Sequence, residues 1–169
     1  MGNTLRMGVF ALAVVAFFAG FANFGVPQIE PAAPPARTSI LDLAAMTMPQ
    51  FISLGGDIFT GKGNCTLCHN EVGGRAPPLG RIALEGGERI ALAEYAGAAA
   101  DAEEYMLESL LDPSAYVVPG FGRANTNDTV SPMPNGQSDL GLSDAEMLAV
   151  VAYLQDLAGA EATADIPVD

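Results

Sequence analysis

Both cysteines and the only histidine of this 169-residue chain fall within five residues, Cys65-Thr66-Leu67-Cys68-His69. Two thiols three residues apart, followed at once by an imidazole, form the attachment signature of a c-type haem. The thiols can add to the two vinyl groups on one edge of the macrocycle, and the histidine is then held under the iron as an axial ligand. Two other chemistries use a Cys-x-x-Cys. A thioredoxin-like dithiol needs a βαβ setting, which this chain does not show. A zinc site usually needs four ligands, and with no further Cys or His it would have to recruit carboxylates. The five residues point to one haem c, covalent through Cys65 and Cys68, with His69 on the iron.

The other face of the iron then needs a ligand, and seven methionines can be sorted by context. Met1 and Met7 lie at an apolar N-terminal end. Met106 and Met147 fall on helical apolar stripes and are expected to pack in the core. Met46 and Met48 lie too close to the attachment motif to loop over the opposite face. Met133 stands in Ser131-Pro132-Met133-Pro134-Asn135, where flanking prolines exclude helix and stiffen the loop. A soft thioether on a rigid loop suits a fixed sixth ligand, and its weak donation favours reduced iron. With His69 committed, no histidine is left for acid–base chemistry. No Gly-rich phosphate loop, nucleophile triad or internal repeat occurs.

Helices must position these groups. The pattern predicts a first helix over Pro49 to Phe59, with Thr47 as cap, Pro49 in the first turn and Gly55 as a flat spot for close contact. A short second helix is expected to include Arg89 to Tyr95. Asp101 to Glu104 reads as a helix start, with an end at Asp112-Pro113. Ser114 to Gly141 reads as loop. Ser143-x-x-Glu146 is a capping box ahead of a stripe of Met147, Leu148, Val150, Val151, Leu154 and Leu157, with Gly159 as the stop.

The N-terminal end is different in kind. Met7 to Val26 is twenty residues without a charge, enough for a helix of about 30 Å, the hydrocarbon thickness of a bilayer. Arg6 precedes it, so the positive-inside rule puts the N-terminus in the cytoplasm and the rest outside. A secretory leader cut near Gly20-x-Ala22 is the rival reading. The length of the run favours a retained anchor over residues 1–26. Residues 27–46 form a linker, with four prolines between Pro27 and Thr38, a stretch that can reach about 37 Å as polyproline helix. A haem domain over 47–159 and a loose acidic tail over 160–169 complete the expected organisation.

The formal net charge is −13, and it is unevenly spread. From Ile90 onward there are fourteen acids and a single base, Arg123. Nucleic-acid binding, which wants a basic footprint, is thereby disfavoured. The acids either solvate the surface or form a charge dipole that orients docking, since the bases flank the haem motif.

At this point the residues resemble a class I cytochrome c over Pro49 to Ala158. Gly55-Gly56-Asp57-Ile58-Phe59 resembles the family's Gly-x-x-x-aromatic of the first helix, which crosses the last helix, and Tyr153 and Leu154 resemble the partner positions. Pro77-Pro78-Leu79 resembles the Pro-x-Leu after the haem motif, and Pro132-Met133-Pro134 the methionine-ligand loop. The stretch Glu104 to Gly120, followed by Met133-Pro134, is similar to haem domains of respiratory complexes, including those fused to some oxidase second subunits. The resemblance implies an all-α fold around one covalent haem and a Pro77 carbonyl that accepts the His69 Nδ1–H bond. It also implies haem attachment on the outer side of the cytoplasmic membrane. Two departures stand out: the approach from Phe59 to Cys65 is long, and the family's haem-edge lysine ring is reduced to Lys62 and a few arginines.

The expected function is single-electron transfer without a small-molecule substrate, by a periplasmic domain anchored in the inner membrane. Its partners would be a membrane-embedded redox complex or another cytochrome, in a respiratory or photosynthetic chain. A permanent subunit and a tethered shuttle both fit, and the tether favours the subunit by raising effective concentration at one partner. The alternative from another class is a haem enzyme or gas sensor whose Met133 dissociates. It lacks a distal histidine, with Arg123 or Tyr116 as weak substitutes.

Overall fold

The computed structural model describes residues 2–25, 43–70 and 74–167, which fall into two compact units divided at Leu41/Asp42. The proline-rich stretch Pro27 to Thr38 lies outside the described residues. Among the described residues all regular structure is helical.

In the first unit, helix α1 (Gly2–Gly20) continues into a π-helical turn, Phe21–Gly25. The 24 residues are long and apolar enough to cross a membrane. None of the α1 side chains is buried, and Leu5, Phe10, Leu12 and Phe17 stand exposed around it. Its one amide side chain in the apolar run, Asn23, donates to the Ala19 carbonyl at 2.8 Å, which satisfies the group within the helix.

The second unit contains α2 (Met48–Thr60), α3 (Ile82–Ile90), α4 (Ala102–Leu111) and α5 (Asp144–Leu157). Sequence signals start three of the four. Gln50 Oε1 accepts the Thr47 N–H and the Thr47 hydroxyl, both at 2.9 Å, ahead of Pro49. Asp101 accepts the Glu104 N–H at 2.9 Å. Ser143 and Glu146 cap each other, at 3.2 and 2.8 Å. Each cap satisfies amide donors that the first helical turn leaves unpaired.

Helix α2 packs on α5 and α3 on α4. Phe51, Met147, Val150 and Val151 are fully enclosed where α2 meets α5. That contact is close because Gly55 has no side chain: a Cβ there would lie 1.9 Å from the Ala149 carbonyl oxygen and 2.8 Å from the Tyr153 Cβ. Beside it, the Phe59 and Tyr153 rings pack with centroids 5.4 Å apart.

Two expectations are corrected. The second helix includes Arg89 and Ile90 but not 91–95; it spans Ile82–Ile90 and passes through Gly86-Gly87. Gly86 is buried, and a Cβ on it would press on the Tyr105 ring at 3.1 Å and the Ala102 Cα at 3.3 Å. The glycine that weakens helix propensity is the one that lets α4 approach, so packing overrides propensity. Residues 91–95 instead form turns, with Leu92 N–H on Arg89 O and Tyr95 N–H on Leu92 O. The C-terminal segment is also not loose. Gln155, 5% exposed, accepts the Thr163 N–H at 3.0 Å and donates to the Thr163 hydroxyl at 2.7 Å. That hydroxyl bonds Glu103 in turn, and Ala164 is wholly buried.

Gly55→Ala should destabilise the folded domain by about 3 kcal/mol, the upper part of the overpacking range, because the obstacle is backbone and cannot rotate away. A denaturant titration checks this as a lower midpoint at unchanged slope.

Candidate haem site

The chain reaches the motif through a tight turn after α2. The long Phe59–Cys65 approach folds back on the helix, with Gly61 N–H on Asp57 O at 2.9 Å and Gly63 N–H on Ile58 O at 2.7 Å. Lys62, the only lysine, extends from this turn to Glu146 on α5, Nζ to Oε2 2.7 Å. Asn64 adopts a left-handed conformation, φ 51°, and starts a single 3-10 turn over Cys65–Leu67. The Cys68 and His69 N–H groups both donate to Cys65 O, at 3.1 and 2.9 Å. One turn of helix puts residues three apart on the same side, so both thiols face one way.

They face a cavity of about 430 Å³, within the range of small-molecule sites. Cys65, Cys68, His69, Pro77 and Met133 all line it, so the five residues singled out from the sequence meet around one space. Much of the remaining wall is apolar, from Phe59, Leu79, Ile82, Met106, Leu110 and Leu154. Met106 therefore both packs in the core and lines the cavity. Met46 and Met48 do not line it.

His69 Nδ1 is 2.8 Å from the Pro77 carbonyl oxygen. A carbonyl can only accept, so Nδ1 carries the proton and Nε2 keeps its lone pair. Burial pushes the imidazole pKa down, with the Pro77 carbonyl pulling the other way. The result is a neutral ring, the form that ligates a metal. Burial raises the Cys65 thiol, reinforced more weakly by Cys68 and opposed by a backbone hydrogen bond. A protonated, partly buried thiol is a poor dithiol reagent. Among the described residues no group of three His, Cys, Asp or Glu could hold a metal ion.

Some of the wall was not legible in advance. Arg75 and Arg89 are its only charged members among the described residues, and no carboxylate joins them. Arg89 is held by Glu85 at 2.7 Å, donates to Tyr105 Oη at 3.3 Å, and lies 5.7 Å from the Tyr105 ring centroid. Tyr105 and Tyr116 line the cavity and, with Tyr95, form an aromatic cluster with centroids 5.7–6.4 Å apart. No local motif announces Arg75, Arg89 or Tyr105; of the two weak distal candidates, Tyr116 lines the cavity and Arg123 does not.

The family model for cytochrome c matches residues 52–158. The chain belongs to the cytochrome c family. Its cofactor is accordingly haem c, and Cys65 and Cys68 have the attachment spacing. Comparison with curated proteins returns no match. The donor set suits the group on its own terms: two thiols on one edge, a neutral imidazole with its other nitrogen engaged, a thioether, and an apolar wall. Family membership makes the chain an electron carrier and implies redox partners.

Cys65→Ser should leave a single thioether. The pyridine haemochrome of the purified variant is then expected to shift to longer wavelength, because one vinyl group stays conjugated; an unshifted spectrum would exclude Cys65 from the attachment.

Proposed function

We propose that this cytochrome holds its haem iron between His69 and Met133 and carries single electrons at the periplasmic face of a membrane. The observation that carries this reading is that the two side chains line one cavity, with His69 already fixed through Nδ1 by Pro77. The haem, when bound, supplies one-electron exchange at its iron. The chain's own residues do the rest. Cys65 and Cys68 fix the haem edge, and the Pro77 carbonyl sets the tautomer and tilt of the imidazole. Met133 favours the reduced state. The apolar wall would keep water from the iron, and Arg75, which has no salt bridge among the described residues, would be the cavity-wall cation free to meet a haem carboxylate.

Residues 1–26 act as an anchor with the N-terminus in the cytoplasm, which the length and apolarity of the first helix support. The tether ends sooner than residue 46, because Leu43 and Met46 already pack against the core of the second unit, and the haem domain extends past 159 to include the buried Ala164. A tethered carrier meets one partner at high effective concentration, so we assign it to a larger respiratory or photosynthetic assembly, as a subunit or a captive carrier. Lys62 is engaged by Glu146, so the lysine-based docking of soluble relatives is not the mode expected of this chain.

Met133→Ala should abolish the sulfur-to-iron charge-transfer band of the ferric protein. It should also lower the midpoint potential by on the order of 0.1 V, a fraction of the ~0.8 V that axial ligands command. An unchanged spectrum and potential would remove Met133 from the iron.

A further inference from the structure

Between α4 and α5 runs a long segment without regular structure that carries Met133, yet its backbone is closely specified. Asp128 accepts the Gly120 N–H through Oδ2 at 2.8 Å and the Gly122 N–H through Oδ1 at 2.9 Å. Hydrogen bonds from two amides to one carboxylate are charge-assisted and stronger than neutral ones. The approach requires glycine at 122, where a Cβ would lie 2.6 Å from the Asp128 Cα. Asn125, Asn127 and Asp128 all take left-handed conformations, with φ of 67°, 52° and 57°. Such backbone persists only where its surroundings over-determine it.

The same bonds continue towards the thioether. Arg123 N–H donates to Val130 O at 2.8 Å and closes the loop that Asp128 organises. Ser131 N–H then donates to the Ser114 hydroxyl, and Met133 N–H to the Ser131 hydroxyl, each at 3.1 Å. Beyond Pro134, the Asn135 side chain binds the Leu111 carbonyl, and Gly136 N–H donates to Leu110 O at 2.7 Å. The far side of Met133 is thus pinned to the end of α4. Its near side is held by Ser114 through Ser131 and by the loop that Asp128 organises, which ends at Val130.

We propose that Asp128 is a positioning residue for Met133. By bridging Gly120 and Gly122 it holds the loop in the one shape that keeps the sulfur in the cavity, and so controls how readily an outside ligand displaces it. This rests on the reading of Met133 as the iron ligand. An incoming ligand binds with an apparent affinity reduced by the fraction of molecules whose site is open, so loosening the loop raises that affinity.

The test is titration of the full-length, haem-loaded ferric protein with imidazole, followed by the sulfur-to-iron band and the Soret shift. Asp128→Ala should bind imidazole about tenfold more tightly than the parent protein, since both amide bonds are lost. Asp128→Asn keeps one acceptor, should fall between the two, and serves if the alanine variant fails to load haem. Glu103→Gln, which loosens the C-terminal segment instead, should stay within about twofold. Imidazole binding by both Asp128 variants that equals the parent's, or a Glu103→Gln shift as large as theirs, would overturn the proposal. Met133→Ala separates the two claims. If it binds imidazole tightly while the Asp128 variants do not change, the clasp alone fails. If it too is unchanged, the methionine assignment fails and the clasp falls with it.

Discussion

The contact that everything else depends on is the crossing of α2 and α5 at Gly55. With no Cβ between them, the α2 backbone rests on the Ala149 carbonyl, and that distance sets where both helices stand. The turn leaving α2 delivers Cys65 to the cavity, while Val150 and Leu154 of α5 form part of its wall. Lys62 and Glu146 tie that turn to the start of α5 from outside. The attachment motif therefore does not float on a loop. It is hung from the closely packed crossing of α2 and α5.

Charge is distributed around this frame in a consistent way. A chain of net charge −13 places no carboxylate on the described cavity wall and puts two arginines there. Lys62 and Arg89 are neutralised by Glu146 and Glu85, which leaves Arg75, Arg81 and Arg123 as the exposed cations without a salt bridge among the described residues of the second unit. The acids gather on the rest of the surface, where water solvates them. Such a field orients approach and repels other acidic proteins, and it weakens with salt.

Much of this was readable from residues because the signals are local and have one physical meaning. Thr47, Asp101 and Ser143 mark helix starts, since a side chain that accepts or shares an amide hydrogen bond is needed at that position and nowhere else nearby. Cys65 to His69 marks the haem edge because no other residues can perform that chemistry here. Gly55 was legible through its place in a helix that needed a flat face. The misplaced second helix has the opposite cause: glycine is a poor helix former, and only the position of Tyr105 and Ala102 explains why Gly86 is wanted in a helix. The C-terminal segment misled similarly, because its acidic composition says nothing of Gln155 reaching out to hold Thr163. Arg89, Tyr105 and Tyr116 converge on the cavity from separate elements, and convergence over such separations leaves no trace in spacing.

The central claim is an iron with both axial positions filled, one by His69 and one by Met133, so that electrons and not ligands pass through the site. Carbon monoxide binding to the dithionite-reduced, full-length protein tests it most directly. The account predicts slow and substoichiometric binding at carbon monoxide concentrations that saturate five-coordinate haem. Rapid, stoichiometric binding would show an open iron and contradict it.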